Sequence, residues 1–224
     1  MRMESKMDSV IISGGNINSD FALDFLKKKK EKVLYIAADR GLEFCSRNGL
    51  IPDWAVGDFD SVSPQVLKEF EQTEGLKWKK LRPEKDDSDT QSAVNLAMEL
   101  GCESIEILGA TGNRVDHVMA NLGLLAYGCQ KGIPITLVDD RNWISILRSP
   151  GTVIKREEQF GKFVSFFPFG GDVKDLTLQG FKYPLNRYHL TVFDSGLTVS
   201  NEIVEDEAVV EMSSGMMLMI MSRD

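Results

Sequence analysis

Trp54-Ala55-Val56-Gly57-Asp58-Phe59-Asp60-Ser61 is a short apolar run that gives way to two carboxylates where a strand would end. The same punctuation recurs along the chain. Asp39 follows Val33 to Ala38, Asp86, Asp87 and Asp89 follow a strand candidate ending near Leu81, Asp116 lies beyond Ile105 to Leu108, and Asp139 closes Ile135 to Val138. In a parallel sheet all these strand ends share one edge. Acids gathered there repel one another unless something cationic sits between them, so the pattern first suggests a metal-phosphate site.

Working outward from this motif, short β-branched apolar runs alternate with helical stretches from Ser9 to about Asp140, as successive βα units do. Strands are expected at 10–13, 33–38, 54–56, 76–81, 105–108 and 135–138, with helices around 21–30, 42–48, 64–72, 90–100 and 117–127. The fourth helix puts Ala93, Leu96, Ala97 and Leu100 on one face. The implied first domain, residues 1–140, is a three-layer α/β unit, Rossmann-like with a parallel sheet. Beyond it helical periodicity disappears, and Gly and Pro punctuate runs at 163–167, 190–193, 197–199 and 216–221. Residues 141–224 therefore read as a C-terminal antiparallel β-sandwich.

The 224 residues are enough to bury a self-sufficient core, and 42% apolar against 27% charged is the balance of a globular protein. A net charge of −8 argues against nucleic acid or an acidic membrane surface as partner, since phosphate backbones need clustered Lys and Arg. Three cysteines without CxxC spacing read as buried free thiols in a reducing compartment. The first eight residues lack an apolar signal-peptide core, and no run approaches the ~20 apolar residues of a membrane span, so a cytoplasmic location is expected.

On an extended segment Asp58 and Asp60 point to one side, about 6.6 Å apart at ~3.3 Å rise per residue, and a divalent cation would turn their repulsion into attraction. Taken alone, Asp-x-Asp is more often a solvated turn. Lys85-Asp86-Asp87-Ser88-Asp89 precedes a helix; capping explains one or two of these residues but not four oxygen-bearing side chains beside a lysine. Asp89 could complete an oxygen shell for Mg²⁺ with Asp58 and Asp60. Gly109 to His117 is a glycine-containing loop in which Arg114 offers a planar multidentate donor, although it is neither a Walker A loop nor a dinucleotide fingerprint. With two histidines in the chain, a His-rich zinc site is not expected, and His117 reads as a hydrogen-bonding partner near a helix start.

Together, Ala38-Asp39, Gly57-Asp58-Phe59-Asp60-Ser61, Lys85-Asp86-Asp87-Ser88-Asp89, Gly112-Asn113-Arg114-Val115-Asp116-His117 with Asn121, and Thr198-Val199-Ser200-Asn201-Glu202 resemble the thiamine pyrophosphokinase family in order and spacing. The resemblance implies transfer of the diphosphate of ATP to the hydroxyl of thiamine, giving thiamine diphosphate and AMP. It implies Asp58, Asp60 and Asp89 as Mg²⁺ ligands, and Asp39, Lys85, Ser88, Arg114 and Asp116 around nucleotide and polyphosphate. Ser200 and Asn201 would hold the thiamine pyrimidine, and Asp86 or Asp89 could take the hydroxyl proton. A homodimer with active sites at the subunit interface is implied as well, with residues 1–140 as the catalytic and 141–224 as the thiamine-binding domain. Arg40 stands where many relatives have Gly, and Ser88 where Thr is more usual. Two other readings start from the same residues: an Asp-x-Asp nucleotidyl or nucleotide-sugar transferase, which leaves Ser200-Asn201 unexplained, and a noncatalytic nucleotide- or thiamine-binding regulator.

Overall fold

Val10, Ile11 and Ile12 are at most 1% exposed, so the first strand is covered on both faces, as interior strands of a parallel sheet are. The computed structural model describes residues 7–29, 32–82, 87–112, 114–194 and 196–224. They divide into two compact units, Met1–Asp140 and Arg141–Asp224.

In the first unit the order is β1 (Asp8–Ile12), α1 (Ser19–Lys27), β2 (Val33–Ala38), α2 (Gly41–Arg47), β3 (Trp54–Gly57), α3 (Pro64–Glu71), β4 (Lys77–Lys80), α4 (Asp89–Glu99), β5 (Ser104–Leu108), α5 (Val115–Lys131) and β6 (Ile135–Val138). Five βα repeats are thus realised, and the strands pair in parallel in the order β4-β3-β2-β1-β5-β6. β4, Lys77-Trp78-Lys79-Lys80, ends this order, and its lysines suit an unpaired edge. The chain runs outward from β1 to β4, then returns through α4 to β5 on the other side of β1. Between β1 and β5 lies a topological switch point, where a crevice opens beyond the carboxyl ends of the strands. The right-handed crossovers usual for parallel strands would place α1 to α3 on one face and α4 and α5 on the other, in agreement with the α2–α3 and α4–α5 packing.

Local signals fix the helix starts. Asn18, Ser63 and Ser88 cap α1, α3 and α4 by accepting from Phe21, Val66 and Gln91 N–H groups, and Pro64 occupies the first turn of α3. On α4, Ala93, Leu96 and Ala97 are buried as the spacing predicts, whereas Leu100 has left the helix and is 38% exposed. Cys45 and Cys102 are buried and Cys129 half-buried; burial pushes the Cys45 thiol up to about 12 and Cys102 to about 11. Among the described residues no helix is long and apolar enough to cross a membrane.

The second unit contains β7 (Asn142–Arg148), β8 (Gly151–Lys155), β9 (Phe163–Pro168), β10 (Val173–Gln179), β11 (Leu185–Leu190), β12 (Glu207–Glu211) and β13 (Met216–Ser222). β7, β13 and β9 pair antiparallel, and a separate antiparallel sheet runs β11-β10-β12-β8. Phe166, Leu176, Leu178, Leu190, Val210 and Met217, all under 2% exposed, belong to one core between them. Two expected strands are corrected. Residues 192–194 form a single 3₁₀ turn, because Asp194 accepts from both the N–H and the hydroxyl of Thr191 and closes the chain on itself. Residues 197–199 are turn, pinned to β9 where the Thr198 hydroxyl donates to the Phe166 carbonyl.

Candidate functional site

Asp39 leaves β2 with φ 46°, and its N–H donates to the Val56 carbonyl at 2.8 Å, which ties the loop after β2 to the end of β3. Gly57 permits this approach: a Cβ there would lie 3.2 Å from the Asp39 Cα. Phe59 also takes a left-handed conformation, φ 62°, an uncommon state for a bulky residue that concentrates at functional sites. The strain is offset by burial of its ring, 6% exposed and edge-on to Trp78 at 5.1 Å, while Asp58 and Asp60 stay outside. The Asp60 N–H donates to Asp58 Oδ1 at 3.2 Å and fixes the turn.

Carboxylate oxygens of Asp39, Asp58 and Asp60 all lie within 4.8 Å of one another. Two ionised carboxylates at that distance repel by roughly 3.5 kcal/mol at an effective dielectric near 20, before screening by solvent. Asp39 is the most constrained of the three. Its Oδ2 accepts from the Ser61 hydroxyl, but its Oδ1 is buried without a hydrogen-bond partner among the described residues. Burial raises the Asp39 carboxyl above its ordinary range, and the charges of Asp89 and Asp58 raise it further against the hydrogen bond from Ser61. A buried orphan oxygen among hard anionic donors is what an oxygen-seeking divalent cation satisfies, so the residues fit Mg²⁺. The expected trio of Asp58, Asp60 and Asp89 is thus only partly gathered: Asp39 joins the close group, and Asp89 stands on the adjoining wall.

That wall belongs to a cleft of ≈ 440 Å³ at the β1/β5 switch point. Its base is the Ser13-Gly14-Gly15-Asn16 loop after β1. Gly15 donates to the Gly109 carbonyl at 3.0 Å, and a Cβ at Gly15 would stand 2.3 Å from that oxygen, so the loops after β1 and β5 touch only because the residue is Gly. The Ser13 and Thr90 hydroxyls bond at 2.7 Å, and buried Asn121 donates to the Ala110 carbonyl at 2.8 Å, which fixes both sides of the crevice. Ser88 lines the cleft while its hydroxyl caps α4, with Asp89 as the first helical residue.

Arg114 and His117 stand on the rim. Arg114 closes its fork on Asp116 through Nε and Nη2, and both side chains are mostly exposed. That hydrogen bond, helped by the His117 N–H, holds the Asp116 carboxyl down at about 2. Asp116 therefore serves Arg114 rather than the cleft wall. Lys85 and Asp86 lie outside the described residues.

In the second unit, Asn201 is 1% exposed and its carboxamide is spent on backbone. Its Oδ1 accepts from the Tyr183 and Glu202 N–H groups at 3.0 Å each, and its Nδ2 donates to the Tyr183 carbonyl at 2.8 Å. Ser200 beside it is exposed, with φ 55° and its N–H donating to Ser165 Oγ at 2.9 Å. Glu202 pairs with Lys182 at 2.8 Å and Lys162 at 3.6 Å, which lowers its carboxyl.

A reading that searched for carboxylates passed over Ser13, Gly14, Gly15 and Thr90. The available signal was the Gly14-Gly15 pair directly after the apolar run of β1, a place where a doubly wound sheet brings backbone close to a ligand.

A family model described as "Thiamin pyrophosphokinase, catalytic domain" matches residues 25–137, and one described as "Thiamin pyrophosphokinase, vitamin B1 binding domain" matches residues 151–217. The chain is 35% identical over 214 residues to a thiamine pyrophosphokinase of Bacillus subtilis, covering 96% of this chain and 98% of that protein. The crystal structure of thiamine pyrophosphokinase from Bacillus subtilis superposes with a TM-score of 0.83 at 32% identity, covering 98% of this chain and 100% of that one. That of Geobacillus thermodenitrificans gives 0.83 at 30% identity, over 97% and 98%. Yeast thiamin pyrophosphokinase, at 16% identity and a TM-score of 0.79 over 98% and 87%, shares the fold.

Proposed function

Because the chain belongs to the thiamine pyrophosphokinase family, we propose that it transfers the diphosphate of ATP to the hydroxyl of thiamine with the help of Mg²⁺. In this reaction the hydroxyl oxygen bonds to the β-phosphorus, the bond from that phosphorus to the α–β bridging oxygen breaks, and AMP leaves with the electron pair. The observation that carries the reading is the close grouping of the Asp39, Asp58 and Asp60 carboxylates beside a switch-point cleft, with Asp39 Oδ1 buried and unpartnered among the described residues.

Asp39, Asp58 and Asp60 have the oxygen donors to hold Mg²⁺, and Asp89 on the adjoining wall completes the acidic surface. The metal, when bound, neutralises charge on the phosphate oxygens. The protein does the positioning. Phosphoryl-type transfer asks little covalent chemistry of side chains and much orientation, which the loops after β1 and β3 would supply. Arg114 at the rim, and Lys85 from the segment before α4, would offset charge on the leaving group; Ser88 would fix the α4 start near the phosphates. Asp86 or Asp89 would accept the hydroxyl proton.

Ser200 would contact the pyrimidine of thiamine, and Asn201 would hold the turn that presents it, since its amide is already committed to the backbone. The same unit exposes Val192 (66%), Phe193 (93%), Leu197 (46%) and Val199 (44%), an apolar group that supports the homodimer the family resemblance implies. The working compartment we assign is the cytoplasm.

The test is product identity. Protein incubated with ATP, Mg²⁺ and thiamine should yield thiamine diphosphate and AMP in equal amounts. ADP with thiamine monophosphate would contradict diphosphate transfer, pyrophosphate release would favour a nucleotidyl transferase, and binding without turnover would favour a regulator.

A further inference from the structure

Four carboxylates stand in or beside the cleft, and we propose that Arg40 is the residue that binds the phosphate oxygens of the nucleotide there. The inference rests on the nucleotide reading above. A polyphosphate entering past Asp39, Asp58, Asp60 and Asp89 is repelled until cations meet it, and among the described residues two guanidinium groups line the cleft, those of Arg40 and Arg114. They are in different states. Arg114 has its Nε and Nη2 engaged with Asp116. Arg40 meets Glu43 at 3.6 Å, outside hydrogen-bond distance, with 55% of its side chain exposed. Arg114 thus has part of its fork taken by Asp116, whereas Arg40 has only the longer ion pair with Glu43.

Its placement is built rather than incidental. Arg40 starts α2 in the αR conformation, φ −59° and ψ −7°. A Cβ on Gly14 would lie 3.0 Å from the Arg40 Cβ, so the bare Gly14 backbone lets the arginine stem run along the loop after β1. Glu43 is held by its other oxygen, which accepts from the Ser63 N–H at 3.3 Å. An anchored carboxylate 3.6 Å away orients the guanidinium while leaving its N–H groups outside hydrogen-bond distance of it.

A purely structural role explains Arg40 poorly. Position 40 is the N-cap of α2, where Ser, Thr, Asp or Asn would bond the helix start, and Arg40 makes no side-chain cap. The planar fork suits two phosphate oxygens.

The experiment titrates a fluorescent ATP analogue, mant-ATP with Mg²⁺, into wild type, Arg40→Ala and Arg40→Lys, beside steady-state kinetics. Arg40→Ala should weaken analogue binding by about tenfold or more and raise the KM for ATP in step, as loss of a charge-assisted hydrogen bond does. The KM for thiamine should stay within about twofold, and Arg40→Lys should recover part of the nucleotide affinity. Arg40→Gln, which keeps the stem, serves if the alanine variant does not fold. Unchanged analogue affinity in a folded Arg40→Ala or Arg40→Gln protein overturns the proposal, and so does an equal rise in both KM values. Should wild type bind the analogue and make thiamine diphosphate while the variant matches it, Arg40 alone is refuted. Failure of wild type to bind the analogue would instead sink the nucleotide reading.

Discussion

Asp39 in the α/β unit and Asn201 in the β unit are both polar side chains taken out of water, and they are opposites. Asn201 satisfies three backbone groups with its carboxamide, using both its oxygen and its nitrogen. Asp39 gives one oxygen to Ser61 and keeps the other buried, unpartnered and beside two more acids. A satisfied buried group holds a fold together. An unsatisfied one within an acidic set is a place waiting for a ligand, because evolution does not otherwise tolerate its desolvation. The contrast separates what builds the protein from what equips it, and the variants below weigh the two differently.

The largest effect belongs to the acidic set. Asp60→Asn should lower kcat/KM by about 100- to 1,000-fold, the rate equivalent of several kcal/mol of lost charge neutralisation, with little change in melting temperature. Near-normal turnover in a folded variant would remove Asp60 from the site. Asn201→Ala should do the reverse. It strands two N–H groups and a carbonyl, so urea denaturation should report a loss of about 2–4 kcal/mol. A loss below ~1 kcal/mol would mean water or a neighbour replaces the carboxamide. Ser88→Ala removes the α4 cap and should cost about 1 kcal/mol in the same measurement, with Ser88→Thr close to wild type.

The smallest effect is the pH dependence of metal-free stability. Because the folded-state carboxyl of Asp39 is raised above its ordinary 3.8, the folded protein binds more protons than the unfolded chain just above that value. The contribution of Asp39 to stability should therefore fall as pH rises through that window, read as the difference between wild type and Asp39→Asn across it. Magnesium should stabilise wild type above the window and add little below it or in Asp39→Asn. Thermal denaturation with and without Mg²⁺ checks both signs, and an Asp39→Asn protein that still gains from Mg²⁺ would separate Asp39 from the metal.

The two units also differ in what their sequences disclose. Parallel strands buried on both faces read as continuous apolar runs, so β1, β2, β5 and β6 are legible to within two residues. The β unit hides more. β10, Val173–Gln179, shifts register against β11, with Asp175 at φ 54° and Arg187 at φ 49°, so the period-2 alternation breaks and Leu176, Thr177 and Leu178 are buried in succession. β11 exposes Asn186 to His189 and carries no apolar face to detect. Leu190 to Phe193 looks extended by residue type, yet a single carboxylate, Asp194, folds it into a turn. At the site, strand-end acids announced themselves, since a parallel sheet collects them on one edge. What sequence could not show was that Ser61 takes one Asp39 oxygen and leaves the other, or that Arg114 is already committed to Asp116 while Arg40 is not.

The central claim is that loops distant in sequence bring Asp39, Asp58 and Asp60 around one divalent cation. Anomalous scattering from crystals grown with Mn²⁺ and a nonhydrolysable ATP analogue tests it most directly. The account predicts a peak with carboxylate oxygens of these residues at about 2.1 Å, the spacing of small octahedral cations; a peak elsewhere, or none at full nucleotide occupancy, would contradict it.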